Sequence, residues 1–180
     1  MSDCCNGESV SDETIKPGGA FDLIDHHGSR VTDQSYRGKF MLVYFGYTRC
    51  PEVCPRTLAR LSNVLNRLGN LLGPQASVVQ PLYVSVDPER DSAPVMKAYL
   101  EKDYPRFTGL TGSRENIDYV KSAYRVFSKR APDPDDSTGY LMPHTAFTYL
   151  IGPDGRYVDH FTDSLSEEEL IERLWRRLPS

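Results

Sequence analysis

The sequence predicts an α/β fold in which helices pack against a central sheet. Apolar runs typical of buried strands alternate with amphipathic segments, and the order strand, helix, strand, helix is characteristic of this class. The chain has 180 residues, enough to bury the core of one domain without disulfides. We therefore expect a flexible leader over residues 1–19 and one folded domain over residues 20–180.

The first predicted element is a hairpin that precedes the main sheet. Residues 21–25 and 30–32 have strand character and flank a turn at His26, His27 and Gly28. We interpret both histidines as turn residues.

The next two elements enclose a pair of cysteines. Residues 40–46 (FMLVYFG) form a continuous apolar run, as expected of a central strand covered on both faces. From Leu58 to Leu72, leucines recur at steps of three and four residues and predict an amphipathic helix that stops near Gly73. Cys50 and Cys54 therefore lie between a strand and a helix.

The middle of the chain continues the alternation. Residues 78–86 predict a second buried strand, and Asp91 is predicted to cap a helix that ends near residue 103. A short strand follows at residues 107–110, and Ser113 opens another helix. The inward face of that helix is predicted to carry four residues: Ile117, Val120, Tyr124 and Phe127.

The last third begins with a polar stretch. Residues 129–139 (KRAPDPDDSTG) contain two prolines and no periodic pattern, which predicts a mobile surface loop leading to His144. Strands are expected at residues 144–151 and 156–161 around the turn sequence GPDG. A capping box between Ser166 and Glu169 then predicts a terminal helix, with three leucines on one face: Leu170, Leu174 and Leu178.

Composition excludes several classes of protein. The net charge is −4 and the basic residues are scattered, so we expect no nucleic-acid partner. No apolar run has the length of a membrane helix, and the first twenty residues lack the pattern of a signal peptide, which predicts a soluble chain. Cys4 and Cys5 lie in the leader and are interpreted as incidental thiols.

Cys50 and Cys54 are the strongest candidates for chemistry. They are four residues apart and each is followed by a proline. On a helical turn both sulfurs would face the same way, and a helix N-terminus favours thiolate over thiol. The plain alternative is two small core residues, but this position would be a costly one for inert side chains. Metal binding and redox chemistry both remain open.

His144 can join the cysteine pair only through the fold, because it lies far along the chain. Two thiolates and one imidazole suit copper(I), whereas the same three ligands with a water would suit zinc. Sequence spacing does not choose between the two metals.

Three blocks of sequence carry a family resemblance. Residues 46–55 (GYTRCPEVCP), 84–91 (VSVDPERD) and 144–147 (HTAF) resemble the SCO/SenC family, and the likeness extends over about residues 18–178. The resemblance implies a thioredoxin-like three-layer fold with a central mixed sheet and an added N-terminal hairpin. It also implies copper binding by Cys50, Cys54 and His144. Asp87 matches an acidic residue near the site, although a carboxylate that caps the following turn explains it equally well.

The resemblance further implies a biological role. The chain is expected to be a monomeric copper(I) metallochaperone that delivers copper to, and can reduce, the dinuclear copper site of cytochrome c oxidase. Its expected partners are the copper-bearing oxidase subunit and a copper donor protein. Its expected location is periplasmic, or anchored in the inner membrane and facing outward.

The chain departs from the family pattern at three positions near the ligands. Arg49 replaces a common histidine, Glu52 a common aspartate, and Pro143 the aspartate that often precedes the histidine. Redox thioredoxins carry a cis proline at the corresponding strand entrance. We therefore hypothesise that the Met142–Pro143 bond is cis and brings His144 beside the cysteines.

Three other functions use the same cysteines. A thiol-disulfide oxidoreductase usually has C-x-x-C, so the extra residue here disfavours that activity. A peroxiredoxin would need P-x-x-x-T-x-x-C, but Val43 and Tyr47 occupy the proline and threonine positions. A redox sensor would use the same dithiol, and protection of the thiols by metal would distinguish it from a metallochaperone.

Overall fold

A seven-stranded mixed sheet forms the centre of the molecule in the computed structural model, which describes residues 16–179. Seven strands make this sheet and two more form a separate pair. The strands are β1 (Asp22–Asp25), β2 (Arg30–Thr32), β3 (Phe40–Gly46), β4 (Val79–Ser85), β5 (Thr108–Thr111), β6 (Ala131–Asp133), β7 (Asp136–Leu141), β8 (Thr148–Ile151) and β9 (Tyr157–Phe161).

The strand order in the sheet is β2-β1-β5-β4-β3-β8-β9. Strands β3, β4 and β5 run parallel, whereas β8 pairs antiparallel with β3. The hairpin of β1 and β2 joins the sheet edge through β5. Because β3 and β4 are parallel and in register, the loops that follow them emerge at the same edge of the sheet.

Helices cover both faces of the sheet. They are α1 (Val53–Leu72), α2 (Ala93–Asp103), α3 (Arg114–Ala123) and α4 (Glu167–Arg177). Neighbouring strand residues point to opposite faces. Tyr44 accordingly reaches Cys54 of α1 on one face, and Phe45 packs against Tyr124, just after α3, on the other. The predicted thioredoxin-like three-layer fold with its added N-terminal hairpin is confirmed.

Most local predictions agree with the structure. The apolar run forms β3 with the predicted bounds, and all seven of its residues are buried. Ser113 caps α3, and Ser166 and Glu169 form the predicted capping box of α4. His26 and His27 lie in the turn between β1 and β2. None of the helices in residues 16–179 is both long and apolar enough to span a membrane.

The predicted cap of α2 is wrong. Ser92 is the N-cap residue, one position later than expected. The Asp91 side chain instead accepts hydrogen bonds from Thr48 and Ser85. Hydrogen bonds to distant residues therefore engage a carboxylate that the local sequence pattern predicts as the helix cap.

The predicted inward face of α3 is wrong at Phe127, which is 81% exposed. Helix α3 ends at Ala123, and Arg125 adopts a left-handed conformation with φ of 57°. The Val126 N–H then donates to the Lys121 carbonyl, which closes the helix end. This turn points Val126 inward and Phe127 outward.

Residues 129–139 do not form the irregular loop expected of them. Strands β6 and β7 pair antiparallel across this stretch, with a register irregularity between Pro132 and Asp133. Proline is compatible with an isolated two-stranded ribbon because its missing N–H can face solvent. The prolines therefore did not mark a loop.

The hypothesis of a cis Met142–Pro143 bond is also wrong, because no described peptide bond is cis. The Lys129 N–H donates to the Pro143 carbonyl and the Thr145 N–H to the Phe127 carbonyl. These bonds hold the segment extended with the trans isomer that X–Pro bonds ordinarily prefer. The predictions for Cys4, Cys5 and most of the leader concern residues outside those described.

Candidate metal centre

Cys50 and Cys54 occupy the junction of β3 and α1. Cys50 lies in the connecting loop, and Cys54 is the second residue of the helix. The Cys54 backbone N–H donates to Cys50 Sγ at 3.3 Å. The structure thus brings the two cysteines together, with the first sulfur at the helix N-terminus, where negative charge is stabilised.

The two sulfurs differ in their access to solvent. Cys54 is fully buried, whereas Cys50 is 8% exposed and lines a cavity of about 340 Å³. His144 lines the same cavity. An incoming ion would therefore meet Cys50 and His144 first and Cys54 behind them.

The two thiols form one acid-base unit. The pKa of Cys54 is lowered to about 7, first because Cys50 donates a hydrogen bond to its thiolate. The pKa of Cys50 is raised, first by that same hydrogen bond and then by burial. At neutral pH the pair therefore holds one readily formed thiolate and one retained proton, so metal binding must displace that proton.

Gly46 provides the space for the buried sulfur. A Cβ placed on Gly46 would lie 2.7 Å from Cys54 Sγ and 2.6 Å from Tyr83 Oη. Tyr44 Oη lies 3.9 Å from the same sulfur as a weak donor. The last residue of β3 must therefore lack a side chain for Cys54 to reach its position.

The imidazole of His144 is held by backbone carbonyl groups. Its Nδ1 lies 2.9 Å from the Met142 carbonyl oxygen and its Nε2 lies 2.8 Å from that of Phe45. Carbonyl oxygens only accept, so each contact is a hydrogen bond only when the ring nitrogen that makes it is the donor. To ligate a metal, His144 must release one of these two contacts.

Tyr47 supports this arrangement of His144. Its hydroxyl accepts a hydrogen bond from the Met142 N–H at 3.2 Å, and its ring lies edge-on to the imidazole with centroids 6.0 Å apart. Tyr47 is buried, with only 3% of its surface exposed. It links the cysteine loop to the segment that carries His144.

Asp87 does not line the cavity, and its carboxylate joins two other elements. It pairs with Arg90 and accepts a hydrogen bond from Tyr140 Oη at 2.8 Å. The Arg90 guanidinium also lies 3.6 Å from the centroid of the Tyr140 ring. Asp87 thus fastens the β6–β7 hairpin to the loop after β4, and its bond to the Arg90 side chain also ties it to the following turn at residues 88–90.

Asp91 is a supporting residue that the sequence reasoning missed. Its carboxylate accepts from the Thr48 N–H at 3.1 Å, the Thr48 hydroxyl at 2.6 Å and the Ser85 hydroxyl at 2.7 Å. It thereby fixes the loop that leads to Cys50. The sequence signal for this role was its place in the VSVDPERD block. That block begins at the end of β4, the strand that pairs in register with β3.

The donor set is chemically suited to a soft metal ion. Two sulfurs and one imidazole fit copper(I), and the cavity beside them is lined largely by apolar side chains. The same free dithiol can also exchange electrons.

Comparison with known proteins gives consistent matches over most of the chain. The SCO1/SenC family matches residues 10–178. Protein sco1 of Schizosaccharomyces pombe is 42% identical over 161 residues, which cover 87% of this chain and 59% of the relative. The mitochondrial SCO1 homolog of Homo sapiens is 39% identical over 153 residues, which cover 85% of this chain and 50% of the relative. The chain thus spans little more than half the length of these relatives.

Solved structures agree with these matches. The structure of Bradyrhizobium japonicum ScoI with copper bound is 42% identical with a TM-score of 0.79, and the match covers 90% of this chain and 99% of the other. The crystal structure of yeast Sco1 with copper bound is 34% identical with a TM-score of 0.80, covering 89% of this chain and 87% of the other.

Proposed function

The chain belongs to the SCO1/SenC family, and from this premise we propose that it binds copper(I) through Cys50, Cys54 and His144 and acts as a metallochaperone in cytochrome c oxidase assembly. The observation that carries the proposal is the contact of the two cysteines beside a cavity that His144 also lines. Copper-bound relatives of 42% and 34% identity support the choice of copper over zinc.

Copper is the cargo in this proposal. The ion enters the cavity, and Cys50 and Cys54 bind it as thiolates after the shared proton leaves. His144 gives up one carbonyl contact and supplies a nitrogen. Transfer follows by ligand exchange, in which ligands of the acceptor replace Cys50, Cys54 and His144 one at a time.

The binding experiment is an anaerobic copper(I) titration against a competing chelator. We expect one tightly bound ion in a chain carrying Cys4→Ser and Cys5→Ser. Cys50→Ala, Cys54→Ala and His144→Ala should each weaken binding strongly, whereas His160→Ala, a matched change at a histidine on β9, should not. Undiminished binding in His144→Ala would remove that residue from the ligand set.

The delivery step is tested separately. Copper(I)-loaded chain, at two equivalents for each dinuclear site, is mixed anaerobically with the apo, soluble copper-binding domain of the oxidase subunit. The two proteins are then separated, and the copper content of the domain measures how much of the centre has formed. Formation of the centre with this chain, and not with free copper at the same chelator-buffered concentration, is the expected result. Equal formation from both sources would contradict a delivery role.

A thiol reductase activity is the second candidate, favoured by the free dithiol and the lowered pKa of Cys54. Cys50 and Cys54 would form a disulfide and give two electrons and two protons to an acceptor disulfide. Mass spectrometry of both proteins after anaerobic mixing measures the exchange. Loss of two hydrogens from this chain without a matching gain in the acceptor would exclude it.

We also propose that residues 20–180 form the copper-binding domain, that the chain is a monomer, and that it works outside the cytoplasm. The human relative is named as mitochondrial, which supports a location outside the cytoplasm. Light scattering measures the oligomeric state, and a purified 20–180 fragment that binds no copper would contradict the domain boundary.

A further inference from the structure

A second group of metal-binding side chains lies away from the cysteine cavity. His26 and His27 come from the turn between β1 and β2, and Glu101 comes from the last turn of α2. One ligand atom from each residue lies within 4.8 Å of the others. None of the three lines the cavity beside Cys50.

We propose that His26, His27 and Glu101 bind a divalent first-row transition-metal ion such as zinc(II). Two imidazoles with one carboxylate form a donor set of borderline softness, which suits zinc, nickel and copper(II). The pair of thiolates at the first site instead favours copper(I). The second site therefore lacks the soft sulfur ligands that suit copper(I), although zinc suits both donor sets.

The turn is ordered independently of a metal. The Asp25 carboxylate accepts hydrogen bonds from the His27 and Ser29 N–H groups, both at 2.9 Å. The Gly28 N–H donates to the Asp25 carbonyl at 3.0 Å. Because these bonds fix the backbone, His26 and His27 stay side by side, with ring centroids 4.1 Å apart.

Local charge also favours a cation. Glu101 lies in the last turn of α2, where the helix dipole presents its negative end. Lys97 approaches the Glu101 carboxylate, but the 3.9 Å separation and the half-exposed side chains make this a weak competitor.

His26 gives the site an internal reporter. The Gly109 N–H donates to His26 Nδ1 at 3.0 Å, so the neutral ring carries its proton on Nε2. Ligation through Nε2 requires the other tautomer, and ligation through Nδ1 displaces the amide. In either case the Gly109 hydrogen bond is lost when the metal binds.

Zinc titration followed by two-dimensional amide NMR tests the proposal. The sample is the full chain with all four cysteines changed to serine. We expect the first and largest shifts at His27, Glu101 and Gly109, together with faster hydrogen exchange at Gly109. Shifts confined to other residues would overturn the proposal. If the four-serine chain does not fold, the reduced wild-type chain is titrated beyond the zinc that its cysteine site takes up, and the shifts that follow must appear at His27, Glu101 and Gly109.

Three variants complete the test. His27→Gln and Glu101→Gln alter exposed side chains, so folding should be unaffected. Each should weaken the zinc affinity read from these resonances by about tenfold or more. Even the loss of a hydrogen-bond partner of a metal ligand lowers metal affinity by about that factor. His160→Gln changes a histidine outside the cluster and should leave the affinity unchanged. Equal affinity in His27→Gln and the parent chain would refute the site.

Discussion

Of the two thiol protons of Cys50 and Cys54, one is lost readily and the other is retained between the sulfurs. This coupling predicts how the thiols of the copper-free protein titrate. In a Cys4→Ser, Cys5→Ser background, the ultraviolet absorbance of thiolate should rise by the equivalent of one thiolate per chain, with a midpoint of about pH 7. The thiolate population increases as pH rises through that value. Cys50→Ala should shift the midpoint upward, because the Cys54 thiolate then loses its main hydrogen-bond donor. A midpoint unchanged by Cys50→Ala would show that the two sulfurs are uncoupled.

Gly46 is expected to tolerate no side chain. The added methyl group of Gly46→Ala would meet Cys54 Sγ and Tyr83 within 2.7 Å, so overpacking should cost about 1–3 kcal/mol of unfolding free energy. Urea denaturation measures this loss. Gly112→Ala is the matched control, because its methyl group would meet the flexible end of Leu23 at 3.2 Å. Equal losses in the two variants would contradict a special role for Gly46.

The elements around the site are joined by side chains that lie outside the ligand set. The β6–β7 hairpin is attached through Tyr140 to Asp87 and Arg90. The cysteine loop is attached through Thr48 to Asp91. Each attachment yields a prediction.

Tyr140 should control the order of the β6–β7 hairpin and, through it, the position of His144. Tyr140→Ala removes both the hydroxyl and the ring beneath Arg90, whereas Tyr140→Phe keeps the ring. We expect faster amide exchange over residues 131–141 and weaker copper(I) binding in Tyr140→Ala, with a smaller effect in Tyr140→Phe. Stacking of a cation on an aromatic ring contributes about 0.5–2 kcal/mol, with the upper end for desolvated pairs, and the Arg90 side chain is only 15% exposed. Identical amide exchange in the wild type and both variants would show that Tyr140 does not order the hairpin.

Asp91 should make a large contribution to stability. Asp91→Ala leaves the Thr48 N–H and two hydroxyls without their acceptor, which should cost about 3 kcal/mol or more. Asp91→Asn keeps an acceptor oxygen and should cost less. Chemical denaturation of both variants measures the difference, and equal losses would contradict a role based on hydrogen bonding.

The same carboxyl predicts a pH dependence. Burial raises the pKa of Asp91, so this carboxyl holds its proton more tightly in the folded protein than in the unfolded chain. The stability contributed by this group is therefore greatest at acid pH and declines as pH rises through the raised pKa. Asparagine does not titrate, so the advantage of the wild type over Asp91→Asn should shrink as the pH rises above about 4, the ordinary pKa of an aspartate. An advantage that grows over this range would contradict the sign.

For the whole molecule, copper loading should stabilise the fold, because the proposed ligands come from distant parts of the chain. With free copper(I) buffered at about one hundred times the dissociation constant, stabilisation should approach about 2.7 kcal/mol. Scanning calorimetry with and without copper measures the change in Tm, and removal of copper by a chelator should reverse it. A similar gain in Cys50→Ala would place the stabilising ion elsewhere.

Local features of the sequence correctly predicted most elements. The apolar run of β3, the leucine repeat of α1 and the capping box of α4 depend on residues a few positions apart. Their energetics are local, so the pattern alone identifies them. The cysteine pair at the start of α1 was recognisable for the same reason.

The sequence by itself determined the α/β order, the junction that holds Cys50 and Cys54, and the family resemblance. Only the tertiary structure decided that both nitrogens of His144 face carbonyl groups, that Asp91 holds the cysteine loop, and that residues 131–141 form a hairpin. These features depend on sheet register and on contacts between residues far apart in the chain. Such contacts leave no periodic signal in the segments that make them, because their geometry exists only after the strands have paired.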